Sequence, residues 1–168
     1  MIEYRPVRLE DAGKLLAFKK QIYDESPFLS RSSEEYAVDI KGEQASIETI
    51  LATENALTYL AIENDEIVGC LNIRPYGLSR QKHAASIGVS VKKDYWAQGI
   101  GRALMKKAIS FFEASALHRL ELTVVKDNVR AVDLYKSLGF KEEGLLKDLQ
   151  QVDGEYYDVV AMAMVKSK

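Results

Sequence analysis

The sequence predicts a single α/β domain, residues 1–168, built on a mixed and mostly antiparallel central sheet with helices on both faces. Three observations predict it. Residues 57–76 read as two strands joined at Asn64-Asp65, a pair that tolerates the positive φ of a tight hairpin turn. Residues 83–125 read as strand, helix and strand, and such a crossover is right-handed with its two strands parallel. A second hairpin closes the chain around Asp153-Gly154. An antiparallel meander, one crossover and a closing hairpin give a mixed sheet that needs helices over its apolar faces.

Taken in order, Ile2 to Val7 alternates as a first strand, with Pro6 near its end. Leu9 to Tyr23 reads as a helix, because Leu9, Ala12, Leu15, Leu16, Ile22 and Tyr23 recur at helical spacing before Asp24-Glu25-Ser26-Pro27 stops it. Ser32 or Ser33, followed by Glu34-Glu35, predicts a short capped helix to about Ile40. Another helix is expected over about 43–53, with Ile47, Ile50 and Leu51 on one side. Strands 57–63, 66–76 and 83–91 follow. The helix 100–116 carries an apolar stripe of Ile100, Leu104, Ala108, Phe111 and Phe112. After a strand at 118–125, Asp127 or Asn128 caps a helix that Gly139 ends at Leu138. Strands over about 140–150 and 156–165 complete the order β-α-α-α-β-β-β-α-β-α-β-β. No repeat, low-complexity tract or linker divides the chain.

Composition narrows the function classes. A net charge of -2 gives no basic field of the kind nucleic-acid binding uses, and Lys92-Lys93 and Lys106-Lys107 are runs short enough for solvated faces. No apolar run reaches membrane-spanning length and no N-terminal stretch has signal-peptide character, so the expected location is the cytoplasm. The single cysteine, Cys70, lies in the apolar run Ile67-Val68-Gly69-Cys70-Leu71, where a buried inert thiol is expected rather than a nucleophile. One cysteine and two histidines, His83 and His118, supply no Cys/His zinc set, and no metal is expected.

The segment Val91 to Gly101, V-K-K-D-Y-W-A-Q-G-I-G, carries the chemistry. A β-rich run enters a Gly-x-Gly turn that opens a strongly amphipathic helix. Amides at a helix start lack intrahelical partners, and the helix dipole adds partial positive charge there. Glycines clear side chains from those donors. Strand, glycine turn and helix start together read either as a phosphate cradle or as a tight turn that needs glycine only for its backbone angles.

Three segments resemble the GNAT superfamily of N-acetyltransferases, which move acetyl from acetyl-CoA to an amine. They are Val91-x4-Trp96-x2-Gly99-x-Gly101, Asn128-x2-Ala131-x2-Leu134-Tyr135-x3-Gly139-Phe140, and Asp153-Gly154-x-Tyr156-Tyr157-Asp158-x3-Met162. The second is the most specific, since its spacings fix several unlike residue types at once. The resemblance implies that the pyrophosphate of CoA lies on the N–H groups of Ala97, Gln98, Gly99, Ile100, Gly101 and Arg102. It implies that the pantetheine arm bonds the backbone of Val89 and Val91, where strand 83–91 splays from strand 120–125 beyond a bulge. It gives Asn128 a contact to that arm besides its capping role. The thioester oxygen is expected to take an N–H near Val89.

The resemblance also makes Tyr135 the acid that protonates the leaving thiolate; without it, Tyr135 reads as an aromatic core residue. Trp96 departs from the family pattern, which has Arg or Gln there; Gln98 directly precedes Gly99 and does not restore the spacing. Trp96 is expected to pack under the turn, with Arg102 adding charge. The position of the base some members use is Ala85 here, leaving His83, Glu121, Glu25 or a water chain. The acceptor implied is a small-molecule primary amine, with protein N-termini or lysines as an alternative and a non-catalytic acyl-CoA-binding module as the rival class. A homodimer through the C-terminal strands is compatible with the resemblance.

Overall fold

The computed structural model describes residues 1–167. Alternation at period two lays seven segments into one sheet: β1 (Glu3–Pro6), β2 (Leu57–Glu63), β3 (Glu66–Pro75), β4 (Ala84–Val91), β5 (Arg119–Val125), β6 (Lys141–Val152) and β7 (Glu155–Val165). Their order is β1-β2-β3-β4-β5-β7-β6, and every neighbouring pair is antiparallel except β4–β5. Four helices cover the faces: α1 (Ala12–Glu25), α2 (Ile40–Ala52), α3 (Ile100–Ala114) and α4 (Val129–Ser137). Among the described residues no helix is long and apolar enough to cross a membrane.

Two cores result. On one face, Ile100, Leu104, Ala108 and Phe112 project from α3 onto Leu71, Ile73, Ala85 and Leu120 of the sheet, with Val132 and Tyr135 of α4 beside them. The spacing of four puts these α3 residues on one stripe. Burying each of the larger ones contributes ~2 kcal/mol. On the other face Leu15, Phe18 and Ile22 of α1 and Ile47 of α2 pack against Leu60, Ile67 and Cys70. Asp11 pins the entry to α1: its two oxygens each accept from Arg5 at 2.7 Å, and one also accepts from the Arg8 amide. The hydrogen-bonded Arg5 guanidinium holds the Asp11 carboxyl below its usual range.

The hairpin turns form as expected, with Asn64, Asp65, Asp153 and Gly154 all at positive φ. Asn128, rather than Asp127, caps α4, its side chain accepting from the Ala131 amide at 3.4 Å. Gly139 adopts a φ of 98° just beyond the helix end.

The expected helix over 33–40 does not form. Its capping pattern is used, but locally: the Glu35 carboxylate accepts from the Ser32 amide and closes a turn. The chain then runs extended through Asp39, whose carboxylate caps α2 by accepting from the Gly42 amide at 2.8 Å. Tyr36 is drawn inward instead of continuing a helix. Its hydroxyl donates to the buried Glu43 carboxylate, which also pairs with Lys19. That buried, mutually satisfied trio outweighs the few hydrogen bonds of a two-turn helix.

Candidate active site

The parallel ladder between β4 and β5 lasts only from Ala84↔Arg119 to Ser86↔Glu121. Beyond it the strands part. Each remains tied to its antiparallel partner: β4 to β3 as far as Gly69↔Val91, and β5 to β7 along its whole length. No bulge interrupts the β3–β4 register, so the expected bulge is absent. The splay comes instead from each strand following its own partner. The Ala84 carbonyl accepts from Tyr76 and the Lys92 amide donates to Val68, so even-numbered residues of β4 bond β3. By alternation the N–H and C=O groups of Val89 and Val91 face the gap.

A cleft of about 780 Å³ fills this gap. Val89, Val91, Ala97, Gly99, Ile100, Gly101, Arg102, Asn128 and Tyr135 all line it. Gln98 does not; its side chain turns back to donate to the Asp94 carbonyl at 3.0 Å. Gly99 is the N-cap of α3 at φ 82°, a left-handed conformation that glycine adopts without penalty. The first helical bond runs from the Ala103 amide to the Gly99 carbonyl. The amides of Ile100, Gly101 and Arg102 therefore have no partner within the helix and face the cleft mouth.

The Val91 carbonyl is already engaged, because it accepts from the Trp96 indole N–H at 2.7 Å. Trp96 is half-buried, its indole tied to the end of β4 and its side chain on the cleft wall. Its outer face carries Arg130, with the guanidinium carbon 4.0 Å from the ring centroid. Arg130 lines the cleft and was not singled out from the sequence. Arg102 donates to the Ser137 hydroxyl at 3.0 Å, so two arginines stand near the bare amides.

Tyr135 projects from α4 into the first core at 8% exposure. Its hydroxyl bonds no protein group, yet among the described residues no buried side-chain polar atom lacks a partner. The hydroxyl therefore reaches the cleft. Burial pushes its pKa up to about 12.

The base candidates separate. Glu25, at the end of α1, lines the cleft and accepts from the Lys93 amide at 2.9 Å. His83 does not line it. It is exposed before β4, its carbonyl accepting from His118 and Arg119, and six residues of strand place it ~20 Å from Val89. Glu121 is also outside; it accepts from the Tyr76 hydroxyl at 2.6 Å and pairs with Arg119. The Tyr76 hydrogen bond and the Arg119 contacts hold the Glu121 carboxyl below its usual range. Ala85 is wholly buried under α3. Cys70 is 3% exposed in the second core, and burial pushes its thiol up to about 11. The loop after α1 forms the outer wall, and Gln150 of β6 ties it down by donating to the Pro27 and Leu29 carbonyls at 3.2 and 3.1 Å.

The structure thus brings a splayed parallel pair, bare amides at a helix start and a phenol to one cleft. The profile of the Acetyltransferase (GNAT) family matches residues 20–140. The chain belongs to this family of N-acetyltransferase enzymes. It is 35% identical over 108 residues to the L-amino acid N-acetyltransferase AaaT of Escherichia coli (strain K12), covering 64% of this chain and 67% of that one. It is 33% identical over 81 residues to the [Ribosomal protein bS18]-alanine N-acetyltransferase of the same strain, covering 48% and 55%. The matches thus span about two thirds and about half of those relatives. A crystal structure of a GNAT-family acetyltransferase from Streptococcus pneumoniae superposes with a TM-score of 0.95 at 28% identity, covering 99% of this chain and 100% of that one.

Proposed function

We propose that the chain, as one acetyltransferase domain, transfers the acetyl group of acetyl-CoA directly to a primary amine of a small molecule. The observation that carries this reading is the continuity of the cleft, from the free amides of Ile100 to Arg102, past the unpaired backbone of Val89, to the Tyr135 hydroxyl. The diphosphate of the coenzyme sits on those amides. The pantetheine arm takes the place of the missing sheet neighbour along Val89 and the Val91 amide. That brings the thioester beside Tyr135. The neutral amine attacks the carbonyl carbon, whose oxygen is held by the Val89 N–H. The C–S bond breaks as Tyr135 gives its proton to sulfur. The proton lost by nitrogen leaves toward Glu25 or cleft water, and solvent restores Tyr135. No covalent intermediate on the protein is needed, in keeping with a thiol buried outside the cleft.

The wider of the two relative matches supports a small acceptor, since that protein's name gives L-amino acids. The narrower one supports a protein N-terminus. Release of free CoA thiol from acetyl-CoA, followed against a panel of amino acids, polyamines and N-terminal alanine peptides, tests the reading. Turnover with small amines is expected. Turnover confined to peptides would move the acceptor to proteins, and binding of acetyl-CoA without turnover on any amine would make the domain a non-catalytic acyl-CoA module.

A further inference from the structure

The glycine turn lacks the Arg or Gln side chain expected at Trp96, and the structure shows what stands there. The Trp96 indole N–H donates to the Val91 carbonyl at 2.7 Å, which fixes the ring at the end of β4. Arg130, in the first turn of α4, lays its guanidinium on the open face of that ring, 4.0 Å from the centroid. Both residues line the cleft that holds the Gly99–Arg102 amides. Three arginines are committed to carboxylates: Arg5 to Asp11 and Glu3, Arg8 to Glu10, Arg119 to Glu121 and Glu143. Among the described residues Arg130 makes no such ion pair, not even with Asp133 on its own helix. A stacked guanidinium loses little further freedom when it binds, and its planar fork matches two oxygens of a phosphate.

We infer that Trp96 and Arg130 form a composite phosphate grip, in which the indole holds the guanidinium at the turn and the guanidinium pairs with a phosphate of the nucleotide half of the coenzyme. This rests on the reading of the cleft as an acetyl-CoA site. The grip supplies from a different helix the side-chain donor that the turn lacks at Trp96. The indole alone donates nothing to the ligand, since its N–H is spent on β4.

Calorimetric titration of acetyl-CoA into the wild type, Arg130→Gln, Trp96→Ala and the double variant tests the grip, with thermal melts checking the fold. Arg130→Gln is expected to raise Kd about tenfold, as loss of one charge-assisted pair does. Trp96→Ala should do the same by releasing the guanidinium, and the double variant should be little worse than either single one. Two further donors identify the contact. With acetylpantetheine, which has no phosphate, kcat/KM should be the same for the wild type and Arg130→Gln. With 3′-dephospho acetyl-CoA, a surviving Arg130→Gln penalty assigns the grip to the diphosphate and a vanished one to the 3′-phosphate; both support it. The inference fails if Arg130→Gln binds acetyl-CoA within twofold of the wild type, if the penalty is equal on acetylpantetheine, or if the two single effects simply add. A wild type that binds no acetyl-CoA at all would instead remove the cleft reading on which the grip stands.

Discussion

To serve as the proposed acid, the phenol of Tyr135 has to stay protonated in the resting cleft and still release its proton to sulfur. Burial pushes its pKa to about 12, so it holds its proton at neutral pH but is a weaker acid than a free phenol at ~10. Against a water-exposed thiolate at ~8.5 it would be poorly matched. In the proposed complex the sulfur is desolvated in the same cleft, which raises the basicity of its thiolate as well. Acid and leaving group rise together, and the transfer stays close to balanced. Tyr135→Phe is expected to lower kcat by roughly 10²–10³, while the acetyl-CoA Kd measured by calorimetry stays within about twofold. The pH profile follows from the sign of the shift. A raised pKa leaves the acid form present everywhere below about 12, so kcat/KM should rise as the amine loses its proton and show no falling limb up to pH ~10. A falling limb in the neutral range would take the acid role from Tyr135. The places of Tyr135 and Asn128 on the cleft wall were legible because one motif at one helix carries both, while the acid role of Tyr135 rests on the resemblance. Arg130 was not legible, since its partner Trp96 lies in another element and only the fold brings them together. His83 and Glu121 show the converse: alternation assigns a strand face but not which end of the strand the cleft occupies.

At the scale of the element, the turn into α3 joins a backbone requirement to a binding one. A Cβ at Gly99 would meet nothing within 4 Å, so φ 82° and not crowding demands glycine there. Gly99→Ala is therefore expected to cost about 1–2 kcal/mol of stability through backbone strain alone, with modest loss of acetyl-CoA affinity. Gly99→Asp should cost a similar amount of stability and abolish binding, because it sets a carboxylate against the diphosphate. Thermal melts and calorimetry on both variants separate strain from repulsion; equal affinities would remove the diphosphate from this turn. This element was the easiest to read, since glycine spacing, helix stripe and preceding strand agree. The segment 33–40 was the hardest. Its Ser-x-x-Glu signal is real but short range, and the buried Glu43 that decides Tyr36's position lies in the next helix.

On the scale of the molecule, the sheet is two antiparallel leaves, β1–β4 and β5–β7–β6, joined by a short parallel seam. The meander, the crossover and the closing hairpin were all readable from the sequence. The place of β7 between β5 and β6 follows from composition: β7 buries Val159, Val160, Met162 and Ala163, whereas β6 exposes Lys141, Glu142, Glu143 and Lys147 as an edge strand should. The width of the gap was not readable, because it depends on how the two leaves diverge. In the proposed complex an amide-rich ligand arm in that gap would supply rungs that the seam lacks. At about 100 times its Kd, acetyl-CoA should stabilise the fold by ~2.7 kcal/mol, a rise in Tm of roughly 5–10 °C. Scanning calorimetry with and without ligand measures it, and an unmoved melting curve at saturating coenzyme would contradict occupancy of the gap.

The sealed position of Cys70 has a practical side. The folded polypeptide offers no reactive sulfhydryl of its own, so a chromogenic disulfide reagent present during turnover would count only coenzyme set free by the reaction, leaving the assay without background from the catalyst.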